Sequence, residues 1–169
     1  MSLVLSMEEK ASFDGAYYKV RPVSGPLSLF RLCGRTAAGK SNDKYGRHWF
    51  NERFFWKALD IVSDSTSNPV QLNHYLRFIL REYTAVCHDW NSFAAIYNLR
   101  IPAGKRVEVA VGRIAVKPYY SVNDPGRRAS LPHEFLVGGE FQYIVDLASE
   151  EMKRLVIGPL PLHFAVGRA

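Results

Sequence analysis

The hydrophobic period switches from helical to strand spacing near Trp90, and that switch constrains the fold more than any single motif. Between residues 51 and 86 the apolar side chains recur at helical spacing; after Trp90 they fall at strand spacing. In residues 51–62, Phe54, Phe55, Ala58, Leu59 and Val62 mark one helical face. A Ser/Asp/Thr/Asn linker follows, and Asn68 caps a second helix that carries Pro69 at its first position. Leu72, Tyr75, Leu76, Ile79, Leu80 and Tyr83 are its expected buried stripe. Strands are predicted at 17–23, 27–33, 93–101, 106–117 and 140–146, with a short helical turn from Ser149 and final strands at 155–157 and 162–166. Helices concentrated in the N-terminal half, with strands gathered after them, predict an α+β fold with a split mixed or antiparallel sheet. Residues 1–16 read as a loosely structured lead-in. No linker or internal repeat divides the chain, so residues 1–169 are read as a single domain.

Composition narrows the function classes. No apolar run reaches the roughly 18 residues of a membrane-spanning helix. The N-terminus lacks the charged-then-apolar order of a signal peptide. Cys33 and Cys87 cannot build a disulfide framework. A cytoplasmic location is the default, and a protein delivered by a specialised secretion system would look the same. The net charge of +6 favours anionic partners such as nucleotides, nucleic acid or acidic proteins. The arginines are scattered rather than gathered in a tract, so nucleic acid is neither selected nor excluded. His48, His74, His88, His133 and His163 show no metal-ligand spacing with each other or with cysteine, and no metal site is expected.

Residues 34–41, Gly-Arg-Thr-Ala-Ala-Gly-Lys-Ser, match the spacing of a phosphate loop and follow a strand-like run. A working phosphate loop enters a helix whose N-terminus faces the phosphates. Here Asn42, Asp43, Lys44, Tyr45, Gly46 and Arg47 follow, with no apolar face. The loop is therefore not expected to bind phosphate. A nucleotide triphosphatase or kinase using Lys40 and Ser41 stays as an alternative, with Asp146 as its magnesium acid.

Three other features fall in one order: Arg31 within Ser-Leu-Phe-Arg-Leu, the strand pair holding Tyr97 and Gly112, and the run Gly138-Gly139-Glu140-Phe141-Gln142-Tyr143. This order resembles the ADP-ribosyltransferase and NAD-glycohydrolase toxin superfamily, over most of residues 27–147. The resemblance implies that Arg31, on an early strand, holds the NAD phosphates. Gly138 and Gly139 would form the glycine-rich loop that leads into a late strand. Gln142 would engage the nicotinamide ribose there, with Glu140 as an auxiliary polar or acidic group. Residues i and i+2 of a strand face the same side, so Glu140 and Gln142 are expected in one cleft. Tyr97 or Phe141, or else Tyr119 or Tyr120, would stack on nicotinamide or adenine.

Gln142 stands where the transferases usually carry their catalytic Glu. An amide orients hydroxyls but holds no negative charge, which leans the reading toward NAD hydrolysis over transfer to a protein. The implied partners are NAD as substrate and either a protein acceptor or a cognate immunity protein. Ser65-Thr66-Ser67 spells the transferases' Ser-Thr-Ser motif but sits in a linker. A plainer reading of the same residues makes Gly138-Gly139 a hairpin turn, with Glu140 and Gln142 on a solvent face and Phe141 and Tyr143 on the core face. In that case the chain is a non-catalytic basic binding module. Two further clusters stand out. Gly46-Arg47-His48-Trp49-Phe50 either lines a nucleotide pocket or anchors a loop to the core. Cys87-His88-Asp89 are sequence neighbours that a helix would not turn toward each other.

Overall fold

The computed structural model describes residues 3–34, 44–86, 92–118 and 135–161. In chain order the elements are α1 (Met7–Ala11), a 3-10 turn (Asp14–Ala16), β1 (Lys19–Ser24), β2 (Leu27–Cys33), β3 (His48–Asn51), α2 (Glu52–Ser63), α3 (Pro69–Thr84), β4 (Ala95–Ile101), β5 (Arg106–Arg113), β6 (Lys117–Pro118), β7 (Phe135–Leu136), β8 (Phe141–Val145), α4 (Glu150–Lys153) and β9 (Val156–Pro161). The α+β class stands. Seven strands form one sheet in the order β1-β5-β8-β3-β2-β4-β9, and every ladder in it is antiparallel. Proline explains its two edges. Pro22 lies in β1 and Pro159 in β9, the outermost strands, where a missing N–H breaks no central ladder.

Local chemistry sets the helix starts. The Asn51 side chain accepts from the Arg53 N–H, and the Asn68 side chain accepts from the N–H groups of Val70 and Gln71. Phe55, Ala58, Leu59 and Val62 of α2 meet Leu72, Leu76 and Leu80 of α3 over Phe30, Leu32 and Phe50 of the sheet. Tyr75 and Tyr83, expected in the buried stripe of α3, are instead exposed. Its core seam is the narrower Leu72, Leu76, Leu80 row. The opposite sheet face buries Leu29, Trp49, Leu99, Val109 and Val145 against Met152 of α4.

Residues 3–16 are not a loose lead-in. α1 has a full capping box: Ser6 accepts from the Glu9 N–H, and the Glu9 carboxylate accepts from the Ser6 N–H. Phe13 is buried, forms a bridge with Ile114, and packs with Leu5, Ala110 and Ile144. Gly112 makes this possible. A Cβ there would meet the Tyr17 carbonyl oxygen at 2.5 Å and the Phe13 ring at 2.7 Å. Small residues in β5 thus let the N-terminal segment lie directly on the sheet, and its anchor contacts residues about a hundred positions downstream.

Candidate functional site

Cross-strand partners in an antiparallel sheet present their side chains on the same face. Phe30 pairs with Phe50, Phe50 with Gln142, and Gln142 with Gly112. This row crosses four adjacent strands, and Gln142 is its polar member. α2 and α3 cover the Phe30 and Phe50 end, while Phe13 covers the Gly112 end. Between these two covers lies a cleft of about 620 Å³. Leu32, His48, Phe50 and Gln142 form its floor. Thr84, Ala85 and Val86 at the end of α3 form one wall, and Glu8, Glu9, Ala11 and Ser12 form the other. Arg31, Ile114 and Lys117 complete it.

Gln142 is 4% exposed, and its Nε2 donates to Ser12 Oγ at 2.5 Å. His48, diagonal to Gln142 across the β3–β8 ladder, lines the same cleft. Arg31 reaches the cleft by a different route. Alternation starts its side chain on the face opposite Phe30, but the β2–β3 ladder comprises only Leu29–Asn51 and Phe30–Phe50. Beyond that ladder, Arg31 Nη1 donates to the His48 carbonyl oxygen at 3.0 Å. Its guanidinium lies flat against Gly46, where a Cβ would meet Nη2 at 2.2 Å. The Glu9 carboxylate ion-pairs with Arg47 at 3.2 Å, and Arg47 also donates to the Val4 carbonyl oxygen at 3.0 Å. Lys117 Nζ donates to the Ala11 carbonyl oxygen at 3.1 Å.

Burial pushes the His48 imidazole below its ordinary pKa. The neighbouring Gln142 amide and Glu9 oppose that shift, while Arg31 and Arg47 reinforce it. His48 is therefore neutral at neutral pH. Cys33, next on β2, is a buried free thiol whose pKa is raised by burial.

The structure brings Arg31 and Gln142 into one cleft. It separates the other residues singled out in the sequence. Glu140 sits in the bend before β8, where strand alternation has not begun, and does not line the cleft. Phe141 alternates to the other side of β8 from Gln142; it is exposed, with the Arg113 guanidinium over its ring at 5.5 Å. Tyr97 packs on the far face with Leu29, Trp49 and Leu99. Gly138 and Gly139 both take positive φ, and their N–H groups donate to the carbonyls of Glu82 and Ile114. They tie β8 to α3 and β5 rather than lining the cleft. Gln142 is not on a solvent face, as the plainer reading had it, and Phe141 is not on a core face. Asp146 is exposed and accepts from the Ala148 N–H.

The residue that sequence reasoning left unassigned is His48. The signal was the Gly46–Phe50 cluster: its Gly admits Arg31, its His lines the cleft and its Phe forms the floor. Most of the phosphate-loop stretch, with Lys40 and Ser41, lies outside the described residues, as do Cys87-His88-Asp89, Tyr119, Tyr120 and the 162–166 strand. Among the described residues no helix is long and apolar enough to cross a membrane, and no three metal-ligating side chains gather. Comparison of the chain with protein-family models, curated proteins and solved structures returned no match.

Proposed function

We propose that the chain is an NAD-cleaving enzyme that acts as a glycohydrolase. The observation that carries this reading is that Arg31 and Gln142, far apart in sequence and on strands separated by β3, line one cleft of about 620 Å³. That volume is in the range of a small-molecule site. A guanidinium matches a pyrophosphate with a two-pronged fork. A buried amide held by the Ser12 hydroxyl is suited to orienting the hydroxyls of the nicotinamide ribose. Breaking the nicotinamide–ribose bond sends its electron pair to the pyridinium nitrogen and leaves a cation-like sugar. Gln142 orients that sugar without adding charge. The apolar floor, with Leu32 and Phe50, takes a flat ring. NAD is a substrate in this scheme, and no metal takes part. The biological setting consistent with it is a cytoplasmic enzyme, or a toxin delivered by a specialised secretion system with a cognate immunity protein.

Thermal melting with ligand tests the reading. NAD without magnesium should raise the melting temperature of the wild type, and Arg31→Ala should abolish that shift. Stabilisation by ATP that requires magnesium would point to the phosphate-loop alternative. No shift with either nucleotide would favour a basic binding module.

A further inference from the structure

We propose that His48 is the general base that activates the water attacking the ribose, so that the cleft hydrolyses NAD rather than transferring its ADP-ribose to a protein. This rests on the NAD-cleaving reading and names the residue that would decide its outcome.

His48 pairs in register with Ile144, and Gln142 with Phe50. His48 and Gln142 are thus diagonal neighbours on one sheet face, within reach of each other's side chains. The imidazole and the amide both line the cleft. A sugar held by Gln142 lies next to His48. The imidazole is half-buried, so it meets the cleft without being sealed from it.

The surrounding charges favour a base over an acid. Arg31 from β2 and Arg47 before β3 oppose protonation, and burial opposes it most; Glu9 from α1 favours it but is engaged by Arg47 and the Ser6 N–H. Glu8, exposed on α1, is the other carboxylate on the wall, and Lys117 is the remaining cation. In the step, the water oxygen bonds to the ribose C1′ as the bond to nicotinamide breaks. The water proton passes to the imidazole, and the bond's electron pair leaves with neutral nicotinamide. His48 then returns its proton to solvent.

The test measures nicotinamide release and ADP-ribose formation from NAD by the full chain. The His48→Gln variant keeps a hydrogen-bonding group beside Gln142 but offers no base. It should lose on the order of 10²–10⁴-fold in kcat, with KM and melting temperature little changed. The wild-type rate should fall at acid pH as the imidazole protonates, and this limb should vanish in His48→Gln. Added imidazole should rescue His48→Ala in proportion to its free-base concentration. Glu8→Gln should keep the acid limb and lose far less in kcat than His48→Gln. His48→Gln turning over like wild type would overturn the proposal and leave the NAD-cleaving reading standing. So would a loss in His48→Ala that imidazole cannot rescue in a protein that still melts normally, or a matching loss in Glu8→Gln. An absence of nicotinamide release by the wild type would overturn the functional reading and this proposal with it.

Discussion

Two covers lie on the cleft-bearing face of the sheet, and different forces hold them. The α2–α3 cover is mainly apolar, with Leu59, Leu72, Leu76 and Leu80 buried over Phe30 and Phe50 and the polar Arg81 and Thr84 buried toward its C-terminal end. The N-terminal cover is anchored by Phe13, with Leu5 buried beside it, and is further pinned by polar contacts. These include Glu9 to Arg47, Ser12 to Gln142, Lys117 to Ala11 and the Leu3 N–H to the Glu108 carboxylate at 2.7 Å. The cleft opens at the seam between them. A site needs polar groups fixed in place yet reachable, and an apolar interface closes over whatever it covers. The polar cover supplies both groups and access, while the apolar cover supplies the stability that holds the floor still.

Phe13→Ala and Leu76→Ala break this comparison most strongly. Each deletes a buried side chain, costing about 3–5 kcal/mol for the Phe and about 2–5 kcal/mol for the Leu. They should differ in where the loss appears. Hydrogen exchange should show Phe13→Ala loosening residues 3–16 first, while Leu76→Ala lowers protection across the sheet. Equal loosening everywhere in both variants would mean that the two covers form one cooperative unit.

Glu9→Ala comes next. It leaves Arg47 without its carboxylate, in a setting where Arg47 Nε already lacks a hydrogen-bond partner. A hydrogen bond to a charged group contributes about 1.5–3 kcal/mol, and chemical denaturation should read a loss of that size. A loss near zero would make the polar pinning incidental.

The helical cover was legible in the sequence and the polar cover was not. Apolar spacing and the Asn68 cap located α2 and α3 to within a few residues, because these signals are local. β2 fell on residues 27–33 as read. β3 was missed: it is four residues long, and its Trp49 and Phe50 go to opposite faces, so no period of two emerges. Without β3, nothing in the sequence could set the distance between Arg31 and Gln142 or raise His48 above its neighbours. The N-terminal cover was equally opaque, since its contacts to Glu108, Lys117 and Gln142 join residues more than a hundred positions apart. Phe141 is a different case. Alternation applied strictly places it opposite Gln142, so the two never belonged to one cleft.

Acid pH sharpens the comparison further. The His48 pKa is depressed in the native state, so the unfolded chain takes up this proton first as pH falls. The associated stability is full above the ordinary imidazole value of about 6.5 and is lost as pH falls from there to the native value. The slope in that window is at most about 1.4 kcal/mol per pH unit for one proton. Denaturation across pH should show this limb in the wild type and a flatter one in His48→Gln. An unchanged limb would assign it to other groups.

Gly46→Ala should have the smallest effect on stability and a selective effect on function. The new methyl meets the Arg31 guanidinium, the far end of a flexible side chain, which can give way without moving backbone. The melting temperature should stay close to wild type while the KM for NAD rises and kcat changes less. A KM unchanged by this variant would separate Arg31 from substrate binding.

The central claim is that the cleft between these covers cleaves NAD through Gln142, and nicotinamide release from NAD by wild type and Gln142→Ala tests it most directly. Gln142→Ala also removes the buried contact to Ser12, so melting must first show that the variant is folded. The account predicts release by the wild type and a fall on the order of 10²–10³-fold in Gln142→Ala, the usual effect of removing one oriented transition-state group. Equal release by the two proteins, or none by the wild type, would contradict it.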